Sequence, residues 1–106
     1  MTNDQVFRQC GPGWSKLIDP LIAKANELGA TVDQIKEKFG GLRFYFTPGT
    51  ADTDELEEMI ERAEIESMVT CEMCGKPGKL ARSATWLKVL CSDHRIELGY
   101  HEICGL

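Results

Sequence analysis

Four residues in the C-terminal third of the chain have the types and spacing of metal ligands. Cys71 and Cys74 form a C-x-x-C pair, Cys91 and His94 form a C-x-x-H pair, and sixteen residues separate the two pairs. Each short pair directs two ligands at one point, and tetrahedral Zn²⁺ needs two such pairs. We therefore predict one zinc ion per chain, bound by Cys71, Cys74, Cys91 and His94.

The fourth ligand has alternatives nearby in the sequence. Spacing favours His94, but His101 and Cys104 follow closely and either would also supply a ligand atom. With four protein ligands the ion has no open position for water, so the predicted role of the zinc is structural. The leftover cysteines, Cys10 and Cys104, are taken as buried or free thiols.

The segments around the two pairs predict the elements that position the ligands. Residues 80–90 are rich in β-forming side chains and long enough to form a hairpin, and residues 93–98 are compatible with a helix. A knuckle, a hairpin and a helix whose first turn carries the last two ligands resemble a treble-clef zinc finger. This resemblance covers residues 71–99.

The first part of the chain predicts two helices and a hairpin. Apolar residues recur at three- and four-residue spacing over residues 14–28, where Gly29 ends the pattern and Pro20 predicts a kink or a restart. A second, acidic helix is predicted over residues 53–66, capped by Thr53 or Asp52 and ending before the first cysteine pair. The Gly-Pro-Gly motif at residues 11–13 predicts a loose N-terminal segment.

The predicted fold class is therefore α+β. Residues 1–70 form a layer of helix, β-hairpin and acidic helix, with both helices on the apolar side of the hairpin. Residues 71–106 form the treble-clef-like zinc module, and we expect the two parts to pack as one domain.

The predicted hairpin has two different faces. If Gly40 and Gly41 form the turn, the core face carries Ile35, Phe39, Leu42, Phe44 and Phe46, with Glu37 among them. The opposite face carries Lys36, Lys38, Arg43 and Tyr45, which are the candidate binding residues. Such a face suits phosphates or an acidic protein surface, although the solvated side of any hairpin has a similar composition.

Glu37 is unusual because it is a carboxylate on an apolar face. Such a group needs a partner, and Arg62 or Arg82 would make it a buried ion pair. The alternative is an acid/base or binding role for this carboxylate.

Composition and charge narrow the function classes. The chain has 106 residues, 42% of them hydrophobic and 27% charged, which fits a single globular domain. Acidic residues concentrate between Asp52 and Glu66, a segment with eight acidic residues and a single basic one, Arg62. The net charge of the whole chain is −5. This distribution disfavours broad non-specific binding to nucleic acid. The N-terminus lacks a basic stretch followed by an apolar one, so we expect a cytoplasmic protein without a membrane span.

Catalytic constellations are missing from the sequence. With two histidines in the chain, no H-x-E element before a P-C-x-x-C motif and no G-x-S-x-G motif, the pattern predicts a protein that is not an enzyme. Catalysis through Glu37 is the remaining enzymatic alternative.

Three segments carry a resemblance to a known family. They are QIKEKFGGLRFYF at residues 34–46, IES at residues 65–67 and CEMCGKPG at residues 71–78. They resemble small zinc-binding proteins found in bacteriophages and bacterial genomes, over residues 13–94. The resemblance implies a phage or prophage origin and action in the bacterial host cytoplasm, but no defined activity.

Two functional hypotheses follow from the sequence. The first is a non-enzymatic, zinc-stabilised module that binds a host protein complex stoichiometrically, for example to inhibit a defence system. Its contact surface would be the basic hairpin face or the acidic helix. The second is a nucleic-acid-binding zinc-finger protein, which would add Lys76, Lys79, Arg82 and Lys88 to the basic hairpin face. The sequence leaves the oligomeric state open.

Overall fold

Within residues 3–103, the part of the chain that the computed structural model describes, three α-helices and two three-stranded sheets form an α+β fold, as predicted. The helices are α1 (Ser15–Glu27), α2 (Asp54–Ser67) and α3 (Ser92–Glu97). The strands are β1 (Arg8–Gln9), β2 (Thr31–Lys38), β3 (Gly41–Thr47), β4 (Lys79–Arg82), β5 (Leu87–Leu90) and β6 (His101–Glu102). The sheet orders are β1-β2-β3 and β5-β4-β6.

The larger core lies where α1 and α2 pack against the β1-β2-β3 sheet. Helix α1 buries residues at the predicted helical spacing, and α2 does the same with Leu56, Ile60 and Ala63. Every buried member of this core lies between Trp14 and Ala63. The N-terminal part of the chain therefore has an apolar core of its own. No helix in the described residues combines the length and apolar composition that a membrane crossing requires.

Helix α1 contains Pro20, where the sequence predicts a kink or a restart. The helix continues through this residue from Ser15 to Glu27 and does not restart. Pro20 is exposed, whereas its neighbours Ile18 and Leu21 are buried in the core. Burial on one face thus holds the helix together across the missing backbone donor on the other face. Gly29, with a φ of 68°, follows the end of the helix as predicted.

The hairpin turn is displaced by one residue from its prediction. Lys38 pairs with Gly41, so the central turn residues are Phe39 and Gly40, with φ angles of 53° and 90°. Two positive φ angles are what a type I′ turn requires. Phe39 is consequently 71% exposed at the tip of the hairpin, and its predicted place on the core face is wrong.

Both glycines of the predicted turn lie close to other elements. A Cβ atom at Gly41 would lie 2.9 Å from the sulfur of Met68, which follows α2, so a larger residue here would displace that side chain. A Cβ atom at Gly40 would overlap a methyl group of Leu80 in β4. Both glycines allow close approach of other elements, and Phe39 is left to adopt the second positive φ angle.

The free edge of β3 is covered by side chains of α2. The hydroxyl of Ser67 accepts a hydrogen bond from the amide of Leu42 at 3.0 Å, and Glu64 accepts one from the amide of Phe44 at 3.2 Å. These bonds satisfy two edge donors that would otherwise be free to pair with another strand. Thr53 is the N-cap residue of α2, but its side chain makes no capping bond. The carboxylate of Asp52, one residue earlier, accepts from the amide of Asp54 at 2.9 Å.

Candidate metal centre

The first ligand pair lies on a tight knuckle. The amide of Cys71 donates to the carbonyl of Lys76 at 2.7 Å, and the amide of Gly75 donates to the carbonyl of Cys71 at 2.9 Å. Gly75 has a φ of 83°, which allows the chain to reverse directly after Cys74. The knuckle therefore turns the side chains of Cys71 and Cys74 toward one point.

The second pair lies at the start of α3. Cys91 is the N-cap residue, and its sulfur accepts a hydrogen bond from the amide of His94 at 3.5 Å. This arrangement places His94 in the first turn of the helix, on the same side as the Cys91 sulfur. Strands β4 and β5 pair from Lys79–Leu90 to Arg82–Leu87, so the predicted hairpin joins the two ligand pairs.

The four side chains have the geometry of a tetrahedral site. Their ligand atoms all lie within 4.8 Å of one another. The sulfurs of Cys74 and Cys91 are 3.7 Å apart, and Nδ1 of His94 lies 3.7 Å from the sulfur of Cys71 and 3.2 Å from that of Cys91. Zinc–sulfur bonds of about 2.3 Å hold two sulfurs about 3.8 Å apart in a tetrahedron. The three short separations are compatible with a zinc ion bound among these ligand atoms.

His101 and Cys104 were the alternatives to His94 as the fourth ligand. His101 lies on β6 opposite Arg82, is exposed, and is not part of the ligand group in residues 3–103. Cys104 lies outside the described residues. Among the described side chains, His94 therefore completes the group.

The backbone around the site favours thiolates. Burial opposes ionisation of Cys71, yet backbone N–H groups from Cys91, Cys74 and Met73 directed at its sulfur leave the pKa of the thiol below its usual value. The amide and ring of His94 likewise lower the pKa of Cys91, against the effect of its burial. In Cys74 the hydrogen bond from Lys76 is outweighed by burial and by the neighbouring sulfurs, which raise its pKa. The lowered pKa values of Cys71 and Cys91 favour their thiolate forms, which are the forms that bind a cation.

The apolar cluster of the metal module is small. Its buried members are Cys71, Ala81, Leu90 and Cys91, and two of these are candidate ligands. Val89 on β5 is also buried. A metal ion bound by the four candidate ligands would add to the stability of this module.

A buried network of charged groups lies beside the knuckle. The side chain of Glu72 is 2% exposed, and both of its oxygens lie 3.3 Å from the ammonium group of Lys88. Lys88 also lies 3.9 Å from Glu37, whose side chain is 6% exposed. Glu37 accepts hydrogen bonds from the indole of Trp86 at 2.7 Å and from the amide of Gly40 at 2.8 Å.

This network corrects the predicted partner of Glu37. Neither Arg62 nor Arg82 pairs with it; Arg62 binds Glu58 on the surface of α2. Glu72 was not predicted as a buried residue, because a glutamate inside a C-x-x-C pair has no sequence feature that indicates burial. Lys88 is engaged by two carboxylates and is therefore removed from the basic surface proposed for nucleic-acid binding.

The Gly-Pro-Gly motif holds the knuckle from the N-terminal side, and its prediction as a loose segment is wrong. The amide of Gly11 donates to the carboxylate of Glu72 at 2.8 Å, and the amide of Gly13 donates to the backbone carbonyl of Glu72 at 2.7 Å. The indole of Trp14 donates to the carbonyl of Thr70 at 2.9 Å. These bonds connect the first helix to the metal knuckle.

Replacement of Gly13 by alanine should destabilise this junction. The new Cβ atom would overlap the carbonyl of Cys71 and the backbone of Glu72, neither of which is a flexible group. We expect a loss of about 2–3 kcal/mol in the free energy of unfolding, measured by urea denaturation in excess zinc. Gly29→Ala is the control, since nothing lies within 4 Å and only the positive φ opposes it. It should cost about 1 kcal/mol. Equal losses in the two variants would contradict close packing at Gly13.

Cys10 is close to the same network but is not part of the ligand group. Burial and the carboxylate of Glu72 raise the pKa of its thiol to about 11. The stabilisation from this protonated thiol is complete below pH 9 and is lost as the pH rises through about 11.

Slow alkylation of Cys10 is the testable consequence. At about pH 8 we expect iodoacetamide to modify it on the order of 10-fold or more slowly in the folded protein than in denaturant, because the thiolate is the reactive form. Peptide mapping by mass spectrometry separates Cys10 from the other cysteines. A similar rate in both states would show that this thiol is neither protected nor protonated.

The predicted binding residues lie on the exposed side of the hairpin. Lys36 pairs with Arg43 across the strands, and the ammonium group of Lys36 lies 5.9 Å from the centre of the Tyr45 ring. Among the described residues no ion pair involves Lys36, Lys38 or Arg43. This face therefore presents three uncompensated positive charges beside a half-exposed tyrosine.

Comparisons with protein-family models, with curated proteins and with solved structures find no match to this chain.

Proposed function

We propose that this chain is a small zinc-stabilised binding protein, in which the metal is structural and the activity is stoichiometric association with another protein. The observation that carries the first half is the Cys71–Cys74–Cys91–His94 group, whose ligand atoms lie within 4.8 Å of one another. Four protein ligands leave no position for an activated water or a substrate.

The polar groups near the metal support binding in preference to catalysis. Glu37 and Glu72 are the buried carboxylates, and each is occupied by Lys88 and by backbone or indole donors. A catalytic acid or base needs a free lone pair or proton directed at a substrate. Both carboxylates instead hold structural elements together.

The proposed contact surface is the exposed hairpin face formed by Lys36, Lys38, Arg43 and Tyr45. Its three cations have no acidic partner in the described residues, and this contrasts with the chain's net charge of −5. A positively charged face on a negatively charged protein favours binding to an acidic patch on a partner protein. Long polyanions are disfavoured, because the acidic helix α2 repels them. With the family resemblance, we propose a phage or prophage protein that acts on a host complex in the bacterial cytoplasm.

Capture from a bacterial lysate tests this proposal. The immobilised, zinc-loaded chain is incubated with nuclease-treated lysate and compared with the double variant Lys36→Glu, Arg43→Glu. We expect a host protein to be retained in stoichiometric amount by the wild type and lost from the double variant. Lys16→Glu is the matched control, because this exposed lysine lies at the start of α1.

Two results would count against the proposal. Capture that survives in the double variant would exclude the hairpin face as the contact surface. Capture that depends on nucleic acid, with a binding constant that falls steeply with salt, would favour the nucleic-acid alternative.

A further inference from the structure

A second surface lies between the tips of the two hairpins. A groove of about 530 Å³ separates the turn at Phe39 from the turn at residues 83–86. Phe39 and Trp86 form its apolar walls and are 71% and 54% exposed. Lys38 and Arg82 line the same groove. Exposed aromatic pairs of this kind are typical of binding sites in small proteins.

Trp86 is held in a fixed position despite its exposure. Its indole donates to Glu37 at 2.7 Å, and this carboxylate is itself fixed by the amide of Gly40 and by Lys88. The turn that carries Trp86 is closed by a bond from the amide of Ser83 to the carbonyl of Trp86 at 2.9 Å. The hydroxyl of Ser83 also accepts from the amide of Trp86 at 3.1 Å. One wall of the groove is therefore pre-organised, which lowers the entropic cost of binding.

Phe39 is held in a conformation that disfavours its own side chain. Its φ of 53° suits asparagine or glycine at this turn position, and the exposed ring contributes little burial in return. A bulky apolar residue at such a position reduces stability, and strain of this kind clusters at functional sites. The ring is thus better explained by contact with a partner than by the fold.

The charges of the groove select the chemistry of its occupant. Lys38 and Arg82 make no ion pair in the described residues, so they are free to meet carboxylates. Glu37 also lines the groove, which disfavours a ligand that brings negative charge against the aromatic walls as well as onto the two cations, as a continuous phosphate backbone would. A peptide can instead place an apolar side chain between the rings and its carboxylates on the two cations.

We propose that the groove between Phe39 and Trp86 is a docking site for an extended segment of a partner protein, in which apolar side chains are flanked by carboxylates. This deepens the proposed function, because it assigns a second contact site on the same binding protein. The groove shares Lys38 with the hairpin face, but the two sites are testable separately, since binding of a peptide to the groove requires no host protein and the double variant Lys36→Glu, Arg43→Glu leaves Lys38 unchanged.

The test is a titration followed by ¹⁵N–¹H NMR of the zinc-loaded chain. The probe is an acetylated hexapeptide with two central leucines and two glutamates on each side, and its matched control has lysines in place of the glutamates. The indole N–H signal of Trp86 reports on the groove, whereas that of Trp14, which is fully buried, is an internal control. We expect a saturable shift of the Trp86 signal with the acidic peptide, a constant Trp14 signal, and about tenfold weaker binding of the lysine peptide.

Phe39→Asn separates binding from folding. Asparagine tolerates the positive φ, so this variant should melt at a temperature equal to or a few degrees above that of the wild type. It should also lose about tenfold or more of its affinity for the acidic peptide. The double variant Lys38→Glu, Arg82→Glu should reverse the preference between the two peptides, with Lys79→Glu on β4 as the control.

Several results would overturn the proposal. They are an unchanged Trp86 signal, equal binding of the two peptides, and full peptide affinity in Phe39→Asn. Tighter binding of oligothymidylate than of the acidic peptide would assign the groove to nucleic acid. A Trp86 signal that shifts with protein concentration alone would assign it to a second copy of the chain.

Discussion

Removal of the metal should melt the C-terminal module and leave the N-terminal core folded. With a strong chelator, the amide signals of residues 71–103 should collapse into the unfolded range, while those of α1, α2 and the β2–β3 hairpin should stay dispersed. The reason is the distribution of apolar burial: the larger core lies wholly within residues 14–63, whereas the second cluster has four buried members. Zinc binding contributes on the order of 10 kcal/mol in small fingers, which is more than such a cluster supplies.

Cys91→Ser should reproduce this effect without chelator, and Cys10→Ser is its matched control. Both variants exchange one sulfur for one oxygen, but Cys10 is outside the ligand group. Two outcomes would contradict the separate cores. One is a module that stays ordered without metal, and the other is cooperative unfolding of the whole chain when the metal is removed.

Lys88→Met should be among the most destabilising single changes outside the ligand group. It leaves the carboxylate of Glu72, which is 2% exposed, without a counter-ion and weakens the support of Glu37. Breaking a buried ion pair costs about 3–5 kcal/mol, and Lys88 is 23% exposed, so we expect about 2–4 kcal/mol. The measurement is urea denaturation in excess zinc. Lys76→Met, at an exposed lysine of the knuckle, should change stability by less than about 0.5 kcal/mol.

A double variant identifies the source of this loss. In Lys88→Met, Glu72→Gln the buried position is neutral, and an amide oxygen still accepts the hydrogen bond from Gly11. We therefore expect part of the lost stability to return, because the cost lies in the unpaired charge more than in the missing contact. If Lys88→Met were as stable as Lys76→Met, the ion pairs of Lys88 with Glu72 and Glu37 would contribute nothing measurable to the free energy of unfolding.

The features that depend on local spacing could be predicted from the sequence. The three helices have apolar or ligand residues at helical intervals, and the four strands of the two hairpins were predicted from their composition and glycine turns. The two-residue strands β1 and β6 were not predicted, because each is defined by its pairing with a distant strand. The cysteine and histidine pairs are local motifs as well, which is why the sequence alone was sufficient to select the group that the fold brings together. Gly29 marks the end of α1 for the same reason.

The features that depend on distant contacts could not be predicted. Gly41 pairs with Lys38 inside the hairpin and lies against Met68, a contact between residues 27 positions apart in the sequence. The partner of Glu37 is an indole 49 residues away, and Gly11 meets Glu72 across 61 residues. Local sequence patterns do not show contacts between residues that are distant in the chain. The Gly-Pro-Gly motif therefore predicted a flexible segment, whereas in the fold its glycines allow close packing.

Native mass spectrometry of the wild type and of His94→Ala measures whether the Cys71–Cys74–Cys91–His94 group binds zinc. We expect one zinc ion per folded chain, released on acidification because protons displace the metal from thiolates and imidazole. His94→Ala should bind zinc weakly or not at all. A wild-type chain without zinc would contradict the account, and so would a His94→Ala variant that retains zinc as firmly as the wild type.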